Sequence, residues 1–471
     1  MRHRPIVADA MTQALRPKTV VLINPGQPGV VNPRGRIYNR AWPPLDLATT
    51  AAWLEQDGIA VSIIDANAEQ LSPEAVAARL GHADQVFVTS TSLERWQCPH
   101  LDLRPFLDVV RAVRPRVPEV FVLGSHGTVR PEAVLEMTGA TAVVRGEPEQ
   151  TVRDITSGRP LGEIRGVTWR GPAGVVSQPD QHPVPMDTLL PPALHLLPMD
   201  RYHYEVMGSH FTLFEMSRGC ASSCSFCLLK TYGTGVRKKP LDAMLREIHE
   251  AVTHFGVRHA YFIDLEFTVL RQQVIALCEA LIEAKLPLQW CCQTRLDLVD
   301  DELLAVMKRA GCRLIHAGVE AGSDRVLAST GKALTLDEVR GGMARITRAG
   351  IDTACFFLLG LPGADRSDAD DIVRTAMALS PTYPLFHIAA PYPGTAMYDA
   401  VAADPRYRFS DDSFFPEAIE GPLTLPELKA LARRAYLRYY LRPAYVFERL
   451  RKGHLPLLLT QARLLAGLVR R

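Results

Sequence analysis

A chain of 471 residues is too long for one compact domain and points to two or three. Its 47% hydrophobic content is ample for buried cores, and a formal net charge of +2 gives no electrostatic case for nucleic acid or an anionic membrane as partner. Nine cysteines in no paired framework, and an N-terminus without an apolar signal core, point to a reducing cytoplasm. No apolar run reaches the length of an integral membrane segment.

Residues 1–17 read as a loose tail. From residue 18 to 155, continuous apolar strands alternate with helical patterns. Strands are expected at Thr19–Gly26, Ile59–Asp65, Gln85–Ser90, Val120–Gly124 and Ala142–Glu147, with helices at Leu45–Gln56, Ser72–Leu80, Phe106–Val113 and Pro131–Met137. That alternation predicts an α/β domain, a doubly wound parallel sheet whose ligands bind beyond the carboxyl ends of its strands. The strand ends carry Asn24-Pro25-Gly26, Asn67, Ser90 and Ser92, Gly124-Ser125-His126, and Gly146-Glu147. Residues 156–205 are rich in proline, contain a predicted hairpin (Gly166–Trp169 with Gly174–Ser177), and read as a linker.

Residues 206–400 contain six further β/α repeats. The first strand, Phe211–Met216, delivers Arg218-Gly219-Cys220-Ala221-Ser222-Ser223-Cys224-Ser225-Phe226-Cys227. Three cysteines at spacings of four and three fall one short of the four ligands of a closed zinc or iron–sulfur site. A zinc knuckle with His210 as a distant fourth ligand is an alternative, but a second Cys or His pair at zinc spacing is missing. Other strand ends carry Asp264 and Glu266, Arg295, Glu320 and the turn Gly360-Leu361-Pro362-Gly363. Residues 401–471 form a helical extension that includes Leu425–Tyr440 and an amphipathic end, Leu455–Arg471. Tyr436, Tyr439, Tyr440 and Tyr445 read as packing aromatics.

The cysteine spacing, with an aromatic residue just before the third cysteine, closely resembles the radical SAM superfamily. The strand-end residues of the first domain resemble the cobalamin-binding domain that precedes many radical SAM domains. A generic nucleotide-binding or flavodoxin-like domain is the alternative for that half. The resemblance implies an N-terminal Rossmann-like cobalamin domain, a partial β/α barrel and a short helical extension. It assigns Cys220, Cys224 and Cys227 to a 4Fe-4S cluster whose open iron takes S-adenosylmethionine. Asp264 or Glu266 would hold the SAM amino group, since the family's glycines are absent there. Arg295 would pair with the SAM carboxylate, Glu320 would accept from the ribose or amino group, and Gly360 would let backbone approach the adenine. Arg295 and Glu320 could instead form an internal ion pair. For cobalamin, the resemblance implicates Asn67, Ser90, Ser92, Gly124, Ser125, His126, Gly146 and Glu147. The loop after the first strand, Asn24–Val31, lacks the histidine that ligates cobalt in other cobalamin domains. His126 could replace it, but a lone histidine at a strand end is more often a hydrogen-bonding group. The loop Leu93-Glu94-Arg95-Trp96 is the candidate to cover the lower face of cobalt.

The implied activity is methylation of an unactivated carbon, or phosphorus, through a 5′-deoxyadenosyl radical and methylcobalamin. The implied partners are a small-molecule substrate, such as a biosynthetic intermediate, and an electron donor such as flavodoxin or ferredoxin. A same-family rearrangement or cyclisation, and a non-catalytic metal- or cofactor-binding protein, are the alternatives. Cys278 and Cys355 are expected as small buried hydrophobes, and one of Cys291 and Cys292 must face the barrel interior.

Overall fold

The structure is a computed structural model that describes residues 19–26, 40–233, 235–451 and 458. The tail 1–17, residues 27–31 of the first loop and, apart from Leu458, the amphipathic end 455–471 lie outside the described residues. The chain forms two compact units.

The first unit is built on a seven-stranded sheet. In chain order its main elements are β1 (Thr19–Asn24), α1 (Leu45–Gln56), β2 (Ala60–Asp65), β3 (Gln85–Thr89), α2 (Arg104–Val113), β4 (Glu119–Leu123), α3 (Ser125–Val129), β5 (Ala142–Val144), α4 (Pro148–Thr156), β6 (Val167–Gly171) and β7 (Gly174–Ser177). The spatial order is β2-β1-β3-β4-β5-β6-β7. The first five strands are parallel and the last two join antiparallel. The chain leaves β1 toward β2 on one side and returns to β3 on the other. The topological switch point, where such sheets bind ligands, therefore lies between β1 and β3. The central strands are mostly apolar because both faces are covered: Leu22, Phe87 and Phe121 on one face and Val21, Val88 and Val122 on the other are all buried. Arg153 of α4 donates to Asp57 at 2.6 and 2.7 Å, and its guanidinium lies 5.3 Å from the Trp53 ring, which ties α4 to α1.

Two parts of this unit depart from the sequence reading. The hairpin expected in the linker is the edge of the sheet: Val144 pairs with Val167, and Val167 and Ile164 are buried. The proline-rich stretch after it packs Val184, Met186 and Leu189 around Trp53. Lys230–Gly233 also belongs to this unit, where the Tyr232 hydroxyl donates to the Leu93 carbonyl at 3.1 Å.

The second unit is a six-stranded parallel sheet. It runs β8 (Phe211–Phe214), α5 (Leu241–Thr253), β9 (His259–Phe262), α6 (Arg271–Ala284), β10 (Gln289–Thr294), α7 (Asp301–Arg309), β11 (Cys312–Glu320), α8 (Leu336–Arg348), β12 (Asp352–Leu359), α9 (Arg366–Leu379), β13 (Tyr383–Ile388), α10 (Ala396–Ala403), α11 (Leu425–Tyr440) and α12 (Pro443–Arg451). Its strands pair in sequence order from β8 to β13. Three of its helices start on a local capping signal: Asp300 caps α7, and Thr335 with Glu338 and Asp365 with Asp368 form capping boxes on α8 and α9. Along β10 the alternation is visible in the contacts. Gln293 accepts from the Tyr261 hydroxyl at 3.3 Å, and Tyr261 packs 5.0 Å from His316, so these residues and Cys291 share the inner face. Cys292 faces the other way, beside Cys312 and Cys278; burial pushes its thiol well above the usual range. The extension's tyrosines are packing residues: Tyr439 and Tyr445 donate to the carbonyls of Pro381 and Thr382, at the start of β13 and away from the strand ends that carry the cysteines. Among the described residues, no helix is long and apolar enough to cross a membrane.

Candidate cluster and cofactor site

The cysteine loop follows β8 and is anchored before it begins. Arg218 and Glu215, both buried, pair at 2.9 Å. Gly219 sits at φ +90, and a Cβ there would meet the Gly235 carbonyl oxygen at 1.9 Å, so only glycine lets the chain turn into the loop. Further on, the Ser225 N–H donates to the Thr330 carbonyl at 2.8 Å, and the Ser225 carbonyl accepts from Met397 N–H at 2.8 Å. Cys220, Cys224 and Cys227 are all half-buried and none is in a disulfide. Burial pushes Cys220 up to about 11, with the Glu266 carboxylate adding to it. Burial also raises Cys224, while the neighbouring Lys332 pulls it down. Such thiols ionise when a metal site takes the thiolates. Among the described residues no three His, Cys, Asp or Glu side chains converge as for a single metal ion; a cubane takes each thiolate on a different iron. His210 lies at the opposite end of β8 from the cysteines.

The other strand ends bring three charged groups to this loop, and the connection after β11 brings a fourth, Lys332. Glu266 accepts a hydrogen bond from the Ser222 hydroxyl. Arg295 donates to Ser222 Oγ at 3.2 Å, to the Lys332 carbonyl at 2.6 Å, and to Asp297 from two nitrogens at 3.0 and 2.9 Å. Glu320, at φ +67 and buried, accepts from Lys332 Nζ at 2.7 Å. Arg295 and Glu320 thus hold separate partners, and the internal ion pair weighed from the sequence is not formed. Lys332 escaped the sequence reading. It is buried and bonds both Glu320 and the Gly318 carbonyl, yet nothing in its local pattern distinguishes it from a surface lysine. Gly360, at φ +79, leaves room for Leu428, whose nearest methyl would lie 2.9 Å from a Cβ.

Asp264 stands apart from Glu266. Its carboxylate accepts from the Ser217 hydroxyl at 2.5 Å and from Met216 N–H at 3.1 Å, so it braces the chain entering the cysteine loop. Burial pushes its pKa up to about 7 from an ordinary 3.8. A raised pKa means that the folded state holds the proton more tightly than the unfolded chain. Its contribution is therefore fully present below about pH 4 and is lost as pH rises through about 7. Asp264→Asn is expected to flatten this: across that window the melting temperature of the variant should fall less than that of the parent. Parallel curves would show that Asp264 stays ionised.

In the first unit the strand-end groups are bonded to neighbouring protein groups. Gly124, at φ +101, would place a Cβ 2.7 Å from Ser90 Oγ. The Ser125 hydroxyl donates to the Trp96 carbonyl at 3.2 Å, Ser92 donates to Glu94 at 2.7 Å, and Gly146 N–H donates to Thr128 at 2.9 Å. Glu147 accepts from Val184 N–H at 2.9 Å, and Asn67 N–H donates to Asp65 at 3.1 Å. His126 is buried. Its Nδ1 lies 3.0 Å from both Thr91 Oγ1 and Ser90 Oγ, and its Nε2 lies 2.8 Å from the His100 carbonyl. A carbonyl only accepts, so Nε2 carries the proton and Nδ1 accepts from the hydroxyls. Burial holds the ring neutral, with its pKa lowered to about 4. Leu93 and Trp96, expected over a cofactor face, are fully buried and packed inward; of that loop Glu94 and Arg95 are half-buried.

Residues 214–376 match the radical SAM superfamily. Over 438 residues the chain is 26% identical to an uncharacterized methyltransferase of Pyrococcus horikoshii, covering 89% of this chain and 92% of that protein. It is 25% identical to the anaerobic magnesium-protoporphyrin IX monomethyl ester cyclase of Rubrivivax gelatinosus, covering 88% and 77%. Among solved structures it resembles the radical S-adenosylmethionine methyltransferase TsrM from Kitasatospora setae, solved with cobalamin and a [4Fe-4S] cluster bound. That likeness has a TM-score of 0.70 at 18% identity and covers 91% of this chain and 89% of that one. Residues 214–376 therefore match a radical SAM domain, and the chain as a whole shares the two-part fold of that methyltransferase structure.

Proposed function

We propose that this protein is a cobalamin-dependent radical SAM methyltransferase that methylates an unactivated carbon or phosphorus centre of a small molecule. The observation that carries this reading is the loop of three half-buried thiols, Cys220, Cys224 and Cys227, set beside Glu266, Arg295, Glu320 and Lys332. Three thiolates suit a cubane with one iron left for SAM. The charged wall offers both signs that a zwitterionic amino acid moiety needs. When bound, the cluster and SAM supply reductive sulfonium cleavage and hydrogen-atom abstraction, and the corrinoid supplies a methyl carrier.

The residues' own work is to bind and orient. Glu266 would accept from the SAM ammonium, a role supported by Asp264 being turned to the Met216 N–H and the Ser217 hydroxyl. All five N–H donors of Arg295 are engaged by Asp297, Ser222 and the carbonyls of Lys332 and Ala333, so pairing with the SAM carboxylate would replace one of them, such as the 3.2 Å bond to the Ser222 hydroxyl. Lys332 pairs with Glu320 at 2.7 Å in a buried place and so fixes the position of its carboxylate. The cytoplasm is the reducing compartment such a cluster needs, and a flavodoxin or ferredoxin would supply the electron.

Arg295→Ala and Glu266→Gln are expected to weaken SAM binding by about 1–3 kcal/mol each, the usual cost of a lost charged hydrogen bond, with the cluster still assembled. Equilibrium binding of SAM to the reconstituted protein checks this, and unchanged affinity in both variants would return the two residues to a structural role. His126 has no ring nitrogen left for cobalt. The paramagnetic resonance spectrum of bound cob(II)alamin should then lack nitrogen splitting, in the parent and in His126→Ala alike. Splitting that vanishes in the variant would make His126 the ligand. Methyl transfer, as opposed to cyclisation, is tested with deuterated-methyl SAM: the label should reach the small-molecule product.

A further inference from the structure

The outward face of α12 is apolar. Pro443, Ala444, Phe447 and Leu450 lie along it at helical spacing and all are exposed, Phe447 by 70% and Leu450 by 51%. Leu441, just before the helix, is 63% exposed. A helix of a globular protein normally turns such a stripe to the core. This one cannot roll to do so, because its opposite face is fixed. The buried Tyr445 donates its hydroxyl to the Thr382 carbonyl at 3.0 Å, and the buried Arg449 guanidinium lies 5.0 Å from the Tyr445 ring. An apolar patch held outward in this way marks a surface that meets something other than water.

The sequence around the patch says what it meets. From Arg449 to Arg471 there is no Asp or Glu, and there are six Arg or Lys. Arg449 is buried, which leaves Arg451, Lys452, Arg463, Arg470 and Arg471, interleaved with the leucines between residues 455 and 468. The chain's net charge of +2 hides this local concentration. Large apolar side chains next to cations, with no acid among them, suit the boundary of an anionic bilayer: the apolar groups enter it and the cations meet the headgroups. A second copy of the chain seated here would set the same positive charge against itself. A nucleic acid would use the cations but leave Phe447 and Leu450 in water. We propose that the outward face of α12, with the basic stretch that follows it, is a peripheral docking surface for a bilayer bearing anionic lipids. The inference stands apart from the methyltransferase reading, and either can fail alone.

Flotation of the full chain with vesicles of phosphatidylglycerol and phosphatidylcholine, against phosphatidylcholine alone, tests this. The parent is expected to bind the mixed vesicles about tenfold or more tightly than the neutral ones, and added salt should weaken that binding. Phe447→Ser with Leu450→Ser removes the apolar contact and should lower the affinity about tenfold or more, with no fall in melting temperature and no change in reductive SAM cleavage in solution. Arg463→Ser with Arg470→Ser and Arg471→Ser should lower it by about the same factor. A parent that does not bind the mixed vesicles, or binds both kinds equally, overturns the inference. So does a self-associated parent that the serine pair turns monomeric, because a second copy then covers the face. A serine pair that melts lower than the parent overturns it too, because the chain itself then covers the face. Binding lost in the arginine variant but kept in the serine pair would reduce the site to a general attraction for anions and would also overturn it.

Discussion

Changing any of Cys220, Cys224 or Cys227 to alanine is expected to abolish both the cubane absorbance and reductive cleavage of SAM. The argument is one of supply. Of the other six cysteines, Cys278, Cys291, Cys292, Cys312 and Cys355 are fully buried in the second unit, and Cys98 belongs to the first. The buried thiols are also costly to ionise: burial raises Cys355 to about 12 and puts Cys292 well above its ordinary value. No substitute thiolate stands at the loop. The loop itself should survive the loss of one thiol, because Arg218–Glu215 and the two Ser225 backbone bonds hold it. Iron content, visible absorbance and 5′-deoxyadenosine yield after anaerobic reconstitution check this. A triple-alanine protein that keeps a cubane spectrum would place the cluster elsewhere.

Lys332→Met is expected to be the most destabilising single change near the site. Its partner Glu320 has a side chain only 8% exposed, and Lys332 itself is 7% exposed. Removing one member of a buried pair leaves the other charged or forces it to take a proton, at a cost of about 3–5 kcal/mol. Replacing both, as Glu320→Gln with Lys332→Met, should recover much of that loss, since no lone charge remains. Denaturant unfolding of the two single variants and the double variant measures the coupling. Additive losses would mean that the pair is screened by solvent and does not hold the strand end. Lys332→Met should also slow cluster assembly, because Lys332, more than Arg295, pulls the Cys224 thiol down against its burial.

Much of this organisation was legible from periodicity and spacing. The helix Leu425–Tyr440 and the strand Cys312–Glu320 stand where the pattern places them, because a full apolar stripe or a continuous apolar run leaves little choice. The cysteine loop was legible because its chemistry is local in sequence. What escaped was long-range. The hairpin after residue 166 looks like a linker until Val144 offers it an edge to pair with. Asp264 and Glu266 are two residues apart and indistinguishable in sequence, but a bend at the strand end turns one to the Ser217 hydroxyl and the other to Ser222. Lys332 matters through burial, and a charged residue beside Gly331 carries no sign of burial in its neighbours. Leu93 and Trp96 were expected to face a cofactor, yet bulky apolar side chains next to a buried strand gain more by packing into the core.

The most direct test of the central claim is one paramagnetic resonance experiment on the full chain, anaerobically reconstituted with iron and sulfide, loaded with cobalamin and reduced. The account predicts a reduced 4Fe-4S signal that changes when SAM is added, beside a cob(II)alamin signal without nitrogen splitting in the same sample. A protein that holds no cobalamin signal, or whose cluster signal is indifferent to SAM, would contradict it.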